Sequence, residues 1–183
     1  MNYATIKNCD IANGPGVRVS LFVSGCTHHC KGCFNEVAWD FDYGQPFTQE
    51  TIDLILEMLK PAYIKGLTLL GGEPFEPQNQ PALVELLRQV KKAFPEKSVW
   101  AFSGYLFDRD ILSGRLGDMA VTKEFLSYLD VLVDGPFVEA KKNLMLRFRA
   151  SSNQRIIHVP SSLQTGEIVL WEDWQTREGE MKK

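Results

Sequence analysis

The chain of 183 residues carries 44% hydrophobic residues and a formal net charge of -3, which fits one folded domain and excludes the disordered and fibrous classes. Because no excess of positive charge is present to hold a polyanion, we expect no nucleic-acid partner. The sequence has no apolar stretch of membrane-spanning length and no secretion signal, so we expect no membrane association and a cytoplasmic location.

The periodicity of apolar residues predicts strands that alternate with helices along the chain. Residues 17–23 predict a first strand that runs directly into a group of cysteines. Helical spacing follows from an N-cap at Thr48 and stops before Pro61. The remaining predicted elements are a strand at 67–70, a helix ending at Phe94, a strand at 99–102, a helical stretch ending at Leu129, and strands at 131–133 and 155–159.

This alternation predicts an α/β fold with about five mainly parallel strands and crossover helices. So few strands cannot close an eight-stranded barrel, and we therefore expect a partial, open barrel. Ligands of such sheets bind at the carboxyl ends of the strands, where the cysteine loop, Gly71-Gly72-Glu73, Ser103 and Asp134 all fall. Residues 1–159 are expected to form the main domain, and residues 160–183 an extension with a short strand and a polar tail.

Three of the four cysteines, Cys26, Cys30 and Cys33, share one loop with the spacing Cys-x-x-x-Cys-x-x-Cys. Cysteine thiolates bind zinc or iron-sulfur clusters, and three of them leave one iron of a 4Fe-4S cubane open. An iron without a protein ligand can take part directly in a reaction. The fourth cysteine, Cys9, is expected to be a small buried residue near the first strand.

A zinc site completed by a histidine is the alternative for these cysteines. The candidates for the fourth ligand are His28, His29 and His158. The spacing favours the cluster, because His28 and His29 lie within the tripeptide between two cysteines, where a fourth bond to zinc would strain the loop. The chain also offers no second pair of cysteines.

A longer pattern surrounds the cysteines, made of Gly14-Pro15-Gly16, Arg18, Phe22, Gly25-Cys26, Cys30, Cys33 and Phe34-Asn35. It resembles the signature of radical-activating enzymes within the radical S-adenosylmethionine superfamily. Gly71-Gly72-Glu73-Pro74 is similar to the methionine-binding loop of that superfamily. Residues 130–137 (Asp-Val-Leu-Val-Asp-Gly-Pro-Phe) and 149–155 (Arg-Ala-Ser-Ser-Asn-Gln-Arg) resemble the activating proteins of the anaerobic (class III) ribonucleoside-triphosphate reductase.

The resemblance implies a fold of the radical S-adenosylmethionine type and a 4Fe-4S cluster held by three cysteines, which are both the metal ligands and the catalytic centre. It implies that the cluster cleaves S-adenosyl-L-methionine reductively, and that the 5′-deoxyadenosyl radical generates a glycyl radical on the large subunit of the reductase. Reduced flavodoxin or ferredoxin is the implied electron donor. The implied cofactor-binding residues are Gly32, Cys33, Phe34, Gly71, Gly72, Glu73, Ser103 and Asp134.

Two positions depart from the family pattern. Gly32 stands where many members carry an aromatic residue that packs on adenine. Adenine is therefore expected to pack against Phe34 or against the backbone. Ala150 stands where the family pattern has a glycine.

Two other functions stay open at this point. An activase of another glycyl-radical enzyme, of the pyruvate formate-lyase type, shares the cluster loop and the mechanism. A non-catalytic zinc-binding adaptor is the alternative from a different class. A basic stretch is either a docking surface or a solvated face, and it consists of Lys141, Lys142, Arg147, Arg149 and Arg155.

Overall fold

This computed structural model describes residues 1–172 of the chain. These residues contain seven strands and four α-helices. The strands are β1 (Asn2–Asp10), β2 (Val17–Val23), β3 (Gln45–Pro46), β4 (Ile64–Gly71), β5 (Ser98–Phe102), β6 (Val131–Asp134) and β7 (Arg155–His158). The α-helices are α1 (Gln49–Leu59), α2 (Gln80–Ala93), α3 (Met119–Tyr128) and α4 (Val159–Thr165). Single helical turns lie at Glu36–Trp39, Phe107–Ile111 and Glu139–Lys141.

One open sheet contains all seven strands in the order β3-β1-β2-β4-β5-β6-β7. Neighbouring strands in the series β2, β4, β5 and β6 are parallel. The pairings of β1 with β2, β1 with β3, and β6 with β7 are antiparallel. The predicted α/β class with an open, partly parallel sheet is therefore confirmed. The expected number of about five strands is wrong, because the sheet has seven, and the expected partial barrel stays a prediction.

The physical reasons for this difference lie in β1 and β7. Side chains of β1 are exposed or only half-buried, so the strand lacks the apolar alternation that would predict it. Cys9 in this strand is exposed, and the expectation that it is buried is wrong. The connection from β6 to β7 contains only the helical turn Glu139–Lys141 and no crossover helix, and it therefore returns the chain antiparallel.

Apolar side chains pack on both faces of the sheet. On one face, β-strand residues such as Leu21, Leu69 and Leu132 join one large core with Ile55 of α1 and Leu87 of α2. The opposite face carries a smaller cluster, which consists of Trp100, Val131, Val133 and Ile156 and is covered by Phe148 and Trp171. The helices cover the first face of the sheet. The cavity therefore forms on the second face, at the carboxyl ends of the parallel strands.

The predicted helices have their predicted ends. The backbone N–H of Thr48 donates to Thr51 Oγ1 at 3.2 Å and caps α1, which ends at Leu59 before Pro61. Helix α2 ends at Ala93, before Pro95. No helix of residues 1–172 is long and apolar enough to cross a membrane.

The expected extension begins inside a helix. Residues Val159–Thr165 form α4, and Leu170 forms an isolated β-bridge with Ile157. Trp171 packs on Trp100, with ring centroids 5.1 Å apart. The rest of the expected extension, which includes Trp174 and the polar tail, lies outside the described residues.

Candidate functional site

A cavity of about 320 Å³ lies at the carboxyl ends of β2, β4 and β5, a volume typical of small-molecule sites. It brings together most of the residues that the sequence singled out. Those in its lining are Cys26, Cys30, Cys33, Phe34, Gly71, Gly72, Glu73 and Ser103. Two predicted residues, Gly32 and Asp134, lie outside the lining.

The three cysteine sulfurs differ in their surroundings. The N–H of Asn35 donates a hydrogen bond to Cys33 Sγ at 3.4 Å. Burial raises the pKa of Cys26 to about 12 and also raises the pKa of Cys30, and it outweighs the opposing effect of backbone N–H groups near these two thiols. Both thiols therefore keep their protons until a metal centre displaces them, and the N–H donors then stabilise the thiolates.

The chemistry of these three donors fits a 4Fe-4S cluster. Within residues 1–172, no three His, Cys, Asp or Glu side chains are grouped so that they could hold one metal ion. The three thiols instead line one cavity. A cubane has its irons at separate corners, so three soft sulfur ligands with backbone N–H donors suit it.

The three histidines considered as zinc ligands have other contacts in the structure. His28 Nε2 lies 3.0 Å from Glu73 Oε2, and the ring of His29 stacks on Trp39 with centroids 4.6 Å apart. His158 Nδ1 lies 2.8 Å from Ser161 Oγ at the start of α4. Burial opposes the charged form of His28, but the hydrogen bond and charge of Glu73 outweigh it and raise the pKa of His28.

Backbone and amide contacts bind the cysteine loop to the Gly-Gly-Glu loop. The N–H of Glu73 donates to Gly25 O at 2.8 Å. Buried Asn79 donates from Nδ2 to Ser24 O and to Glu73 O, both at 3.0 Å. The two loops thus form one unit, and sequence reasoning gave no signal for the part that Asn79 plays in it.

The carboxylate of Glu73 joins three loops at the base of the cavity. The side chain is almost fully buried. Its Oε1 accepts from Phe75 N at 2.9 Å, and its Oε2 accepts from Gly104 N at 2.7 Å and lies beside His28. Each carboxylate oxygen has more than one lone pair. The predicted contact of Glu73 with the cofactor stays a prediction.

A Cβ atom at Gly72 would meet backbone on two sides. It would lie 2.5 Å from Gly25 O and 2.9 Å from Ala38 O, and neither oxygen can rotate away. We expect Gly72→Ala to cost about 1–3 kcal/mol of stability through overpacking and to lower the cluster content after anaerobic reconstitution. Gly114→Ala is the control, because Gly114 lies in an exposed turn and its added Cβ would meet only Met119 Cε at 3.4 Å.

Urea unfolding and iron content measure the two effects. Because Gly114 has a φ of +81°, its replacement reports backbone strain without crowding of the cysteine loop. Equal iron content in the two variants would contradict the tight packing inferred at Gly72.

Asp134 forms an ion pair with Arg155 and does not line the cavity. Its side chain is fully buried, and Arg155 donates from Nε to Oδ1 at 2.9 Å and from Nη2 to Oδ2 at 2.5 Å. Phe107 N also donates to Oδ2, at 2.8 Å. These contacts tie β6, β7 and the turn Phe107–Ile111 together, whereas the predicted contact of Asp134 with the cofactor stays untested.

The geometry at Gly32 explains why no aromatic residue stands before the third cysteine. Its φ is +72°, a conformation that favours glycine, and a Cβ would lie 2.9 Å from Glu139 Oε1. Phe34, two residues later, lines the cavity and is 80% exposed. The ring of Phe34 is thus free to contact a ligand at the mouth.

Several lining residues carried no signal in the sequence. Periodicity does not single out side chains of irregular segments, although Phe137 and Arg149 stand in motifs that the family resemblance identified. The lining residues that the sequence analysis missed include Trp39, Phe102, Leu146 and Phe148.

Comparison with known proteins agrees with this site. A family model described as a 4Fe-4S single cluster domain matches residues 12–157. A protein of Enterobacteria phage T4 named anaerobic ribonucleoside-triphosphate reductase-activating protein is 44% identical over 158 residues, which cover 85% of this chain and 93% of that protein. Proteins of the same name from Vibrio cholerae and Escherichia coli K12 are 42% and 40% identical, over 86% and 87% of this chain and 97% and 99% of their own length. The chain therefore belongs to the family of anaerobic ribonucleoside-triphosphate reductase-activating proteins and contains a 4Fe-4S single cluster domain.

Proposed function

We propose that the chain holds a 4Fe-4S cluster through Cys26, Cys30 and Cys33 and cleaves S-adenosylmethionine reductively at its open iron. The product of this cleavage generates a glycyl radical on anaerobic ribonucleoside-triphosphate reductase. The observation that carries the proposal is the meeting of three cysteine thiols with Gly72 and Glu73 in one cavity. The names of the relatives support the choice of this reductase as partner.

A cluster held by Cys26, Cys30 and Cys33 would supply one electron for reductive cleavage of a sulfur–carbon bond of the cofactor, and this chemistry would allow removal of a hydrogen atom from a glycine Cα of the reductase. The residues of the chain bind and orient the reactants. Gly71 and Gly72 line the cavity and are the proposed backbone contacts of the cofactor, while their missing side chains let the backbones of β2 and the cysteine loop pack closely against them. Phe34 is the proposed contact for adenine, and Ser103 for the ribose.

The wall of the cavity is largely apolar, and its carboxylate, Glu73, lies beside His28. Among the described residues that line it, Glu73 is the only carboxylate, and both of its oxygens accept hydrogen bonds from protein groups. Aromatic and aliphatic side chains of Trp39, Phe102, Leu146 and Phe148 form much of the remaining wall. Such a wall excludes water, which protects a reactive carbon radical from side reactions.

The electron that reduces the cluster has to come from outside the chain. Reduced flavodoxin or ferredoxin is the proposed donor. Dithionite replaces this donor in the experiment that follows.

The test is electron paramagnetic resonance of the reductase after activation. The anaerobically reconstituted chain is reduced with dithionite and incubated with S-adenosylmethionine and the reductase of the same organism. We expect a glycyl radical signal together with 5′-deoxyadenosine. Pyruvate formate-lyase replaces the reductase in a parallel sample. A signal on formate-lyase alone would contradict the choice of partner, and absence of 5′-deoxyadenosine would contradict the proposed chemistry.

A further inference from the structure

Large apolar side chains stand exposed beside the mouth of the cavity. Leu144 is 89% exposed and Met145 is 87% exposed, and both belong to a loop of residues 143–150, here named the rim loop. Further along this loop, Leu146 and Phe148 line the cavity itself. Grouped apolar exposure next to a cavity is typical of an interaction site, since isolated surface leucines need no such explanation.

Hydrogen bonds hold the rim loop in one conformation. At its base, Lys142 and Ser151 form an antiparallel bridge, and Asn143 N donates to Ala150 O at 3.2 Å. At its tip, Met145 N donates to the side chain of Asn143 at 2.9 Å. The exposure of Leu144 and Met145 is therefore built into a closed loop.

The backbone of Phe148 is strained, and its side chain lines the cavity while that of its neighbour Arg147 faces solvent. Phe148 has a φ of +57°, an unusual and costly conformation for a bulky residue. Edge-on packing against Trp100 and Trp171, with centroids 5.5 and 6.2 Å away, holds it there. This conformation places the ring of Phe148 in the core, while its neighbour Arg147 stays exposed.

Positive charge surrounds the apolar tip. Residues 140–152 contain no aspartate or glutamate, although the whole chain has a net charge of -3. Within the described part of the chain, no carboxylate lies in ion-pair distance of the four cations there, Lys141, Lys142, Arg147 and Arg149. A surface of this kind is complementary to a partner whose apolar side chains are flanked by carboxylates.

We propose that the rim loop is the docking surface for the reductase and receives an acidic segment that carries at least one large apolar side chain. This inference rests on the proposed function. Because Leu146 and Phe148 connect the tip to the cavity wall, a segment docked on Leu144 and Met145 lies at the entrance that a reacting glycine has to pass. Leu144 and Met145 thus select the partner from outside the lining of the cavity.

Anionic lipid is the other class of ligand that combined apolar and cationic side chains attract. The reductase is favoured because the apolar surface of the rim loop continues into the wall of the cavity.

The test compares two double variants in binding and activation. Leu144→Ser with Met145→Ser removes the apolar tip, and Leu54→Ser with Leu163→Ser removes two exposed leucines of α1 and α4 as the control. We expect the tip variant to bind the reductase at least about tenfold more weakly, as for two contact residues of an interface. Its cleavage of S-adenosylmethionine without reductase should equal that of the control.

Charge reversal provides the second arm. Lys142→Glu with Arg147→Glu should weaken binding and reduce its dependence on salt, compared with the control Lys92→Glu with Lys123→Glu on α2 and α3. Reductase binding by the tip variant that equals the control would overturn the docking proposal while leaving the proposed function intact.

Two further outcomes separate the remaining possibilities. Binding of the wild type to phosphatidylglycerol vesicles that the tip substitutions abolish, with reductase binding unchanged, would assign the rim loop to lipid and overturn the proposal. Failure of the wild type to form a glycyl radical on the reductase would instead overturn the proposed function, and with it the docking partner.

Discussion

Replacing Cys26, Cys30 or Cys33 by alanine should abolish both cluster assembly and cleavage of S-adenosylmethionine. Three thiols line the cavity, and loss of any one removes a third of the proposed cluster ligands. Alanine also removes the buried thiol without adding a polar group, so the fold should survive. Visible absorbance, iron content and 5′-deoxyadenosine production measure the effect.

The chain supplies its own control for this experiment. Cys9 is exposed on β1, and Cys9→Ala removes a thiol without touching the cysteine loop. This variant should keep the brown colour and the cleavage activity of the wild type. Cofactor cleavage that persists in Cys30→Ala would remove the assignment of the cysteines as cluster ligands.

The largest effect on stability is expected at Arg155. Its guanidinium is the cationic partner of the buried Asp134 carboxylate and also contacts Asp108. Arg155→Met leaves the charge of Asp134 uncompensated. Removal of one partner of a buried pair costs about 3–5 kcal/mol, and partial exposure of Arg155 favours the lower end, about 3 kcal/mol.

Urea unfolding of the metal-free chain measures this loss. Arg88→Met is the control, since Arg88 pairs with Glu85 and Glu124 on the surface and its replacement should cost less than about 1 kcal/mol. Equal losses in the two variants would show that the Arg155 pair adds nothing beyond a surface contact.

The loss of stability caused by Arg155→Met should depend on pH, because Arg155 also contacts Asp108. The hydrogen bond from Arg155 lowers the pKa of Asp108 below its ordinary value of 3.8. A carboxylate with a lowered pKa in the folded state stabilises the fold above its unfolded pKa, and this contribution is lost as the pH falls through the folded value. The difference in stability between wild type and Arg155→Met should therefore narrow below pH 3.8.

The sequence predicted those parts of the fold whose apolar pattern is strong. Strands β2, β4, β5 and β6 are buried on at least one face and were predicted, together with the capped helix that starts after Thr48. Strand β1 was missed because its side chains are half-buried or exposed. The alternation of apolar and polar residues is the same in a parallel and in an antiparallel strand. The sequence therefore did not predict that β7 runs antiparallel to β6.

The residues of the candidate site divide in the same way. Cysteines and glycines at strand ends have chemistry or geometry that spacing reveals, and they meet in one cavity. The contacts of Glu73 with His28 and Gly104, by contrast, depend on how three loops pack together. Burial of Asp134 under Arg155 likewise depends on the pairing of β6 with β7. Neither contact follows from local pattern.

The central claim is that three thiolates leave one iron of the cluster open for the cofactor. Electron paramagnetic resonance of the reduced, reconstituted chain with and without S-adenosylmethionine tests it most directly. We predict a 4Fe-4S signal whose shape changes when the cofactor is added, because in the proposed function the cofactor would bind the open iron. A colourless zinc protein, or a cluster signal that the cofactor leaves unchanged, would contradict the claim.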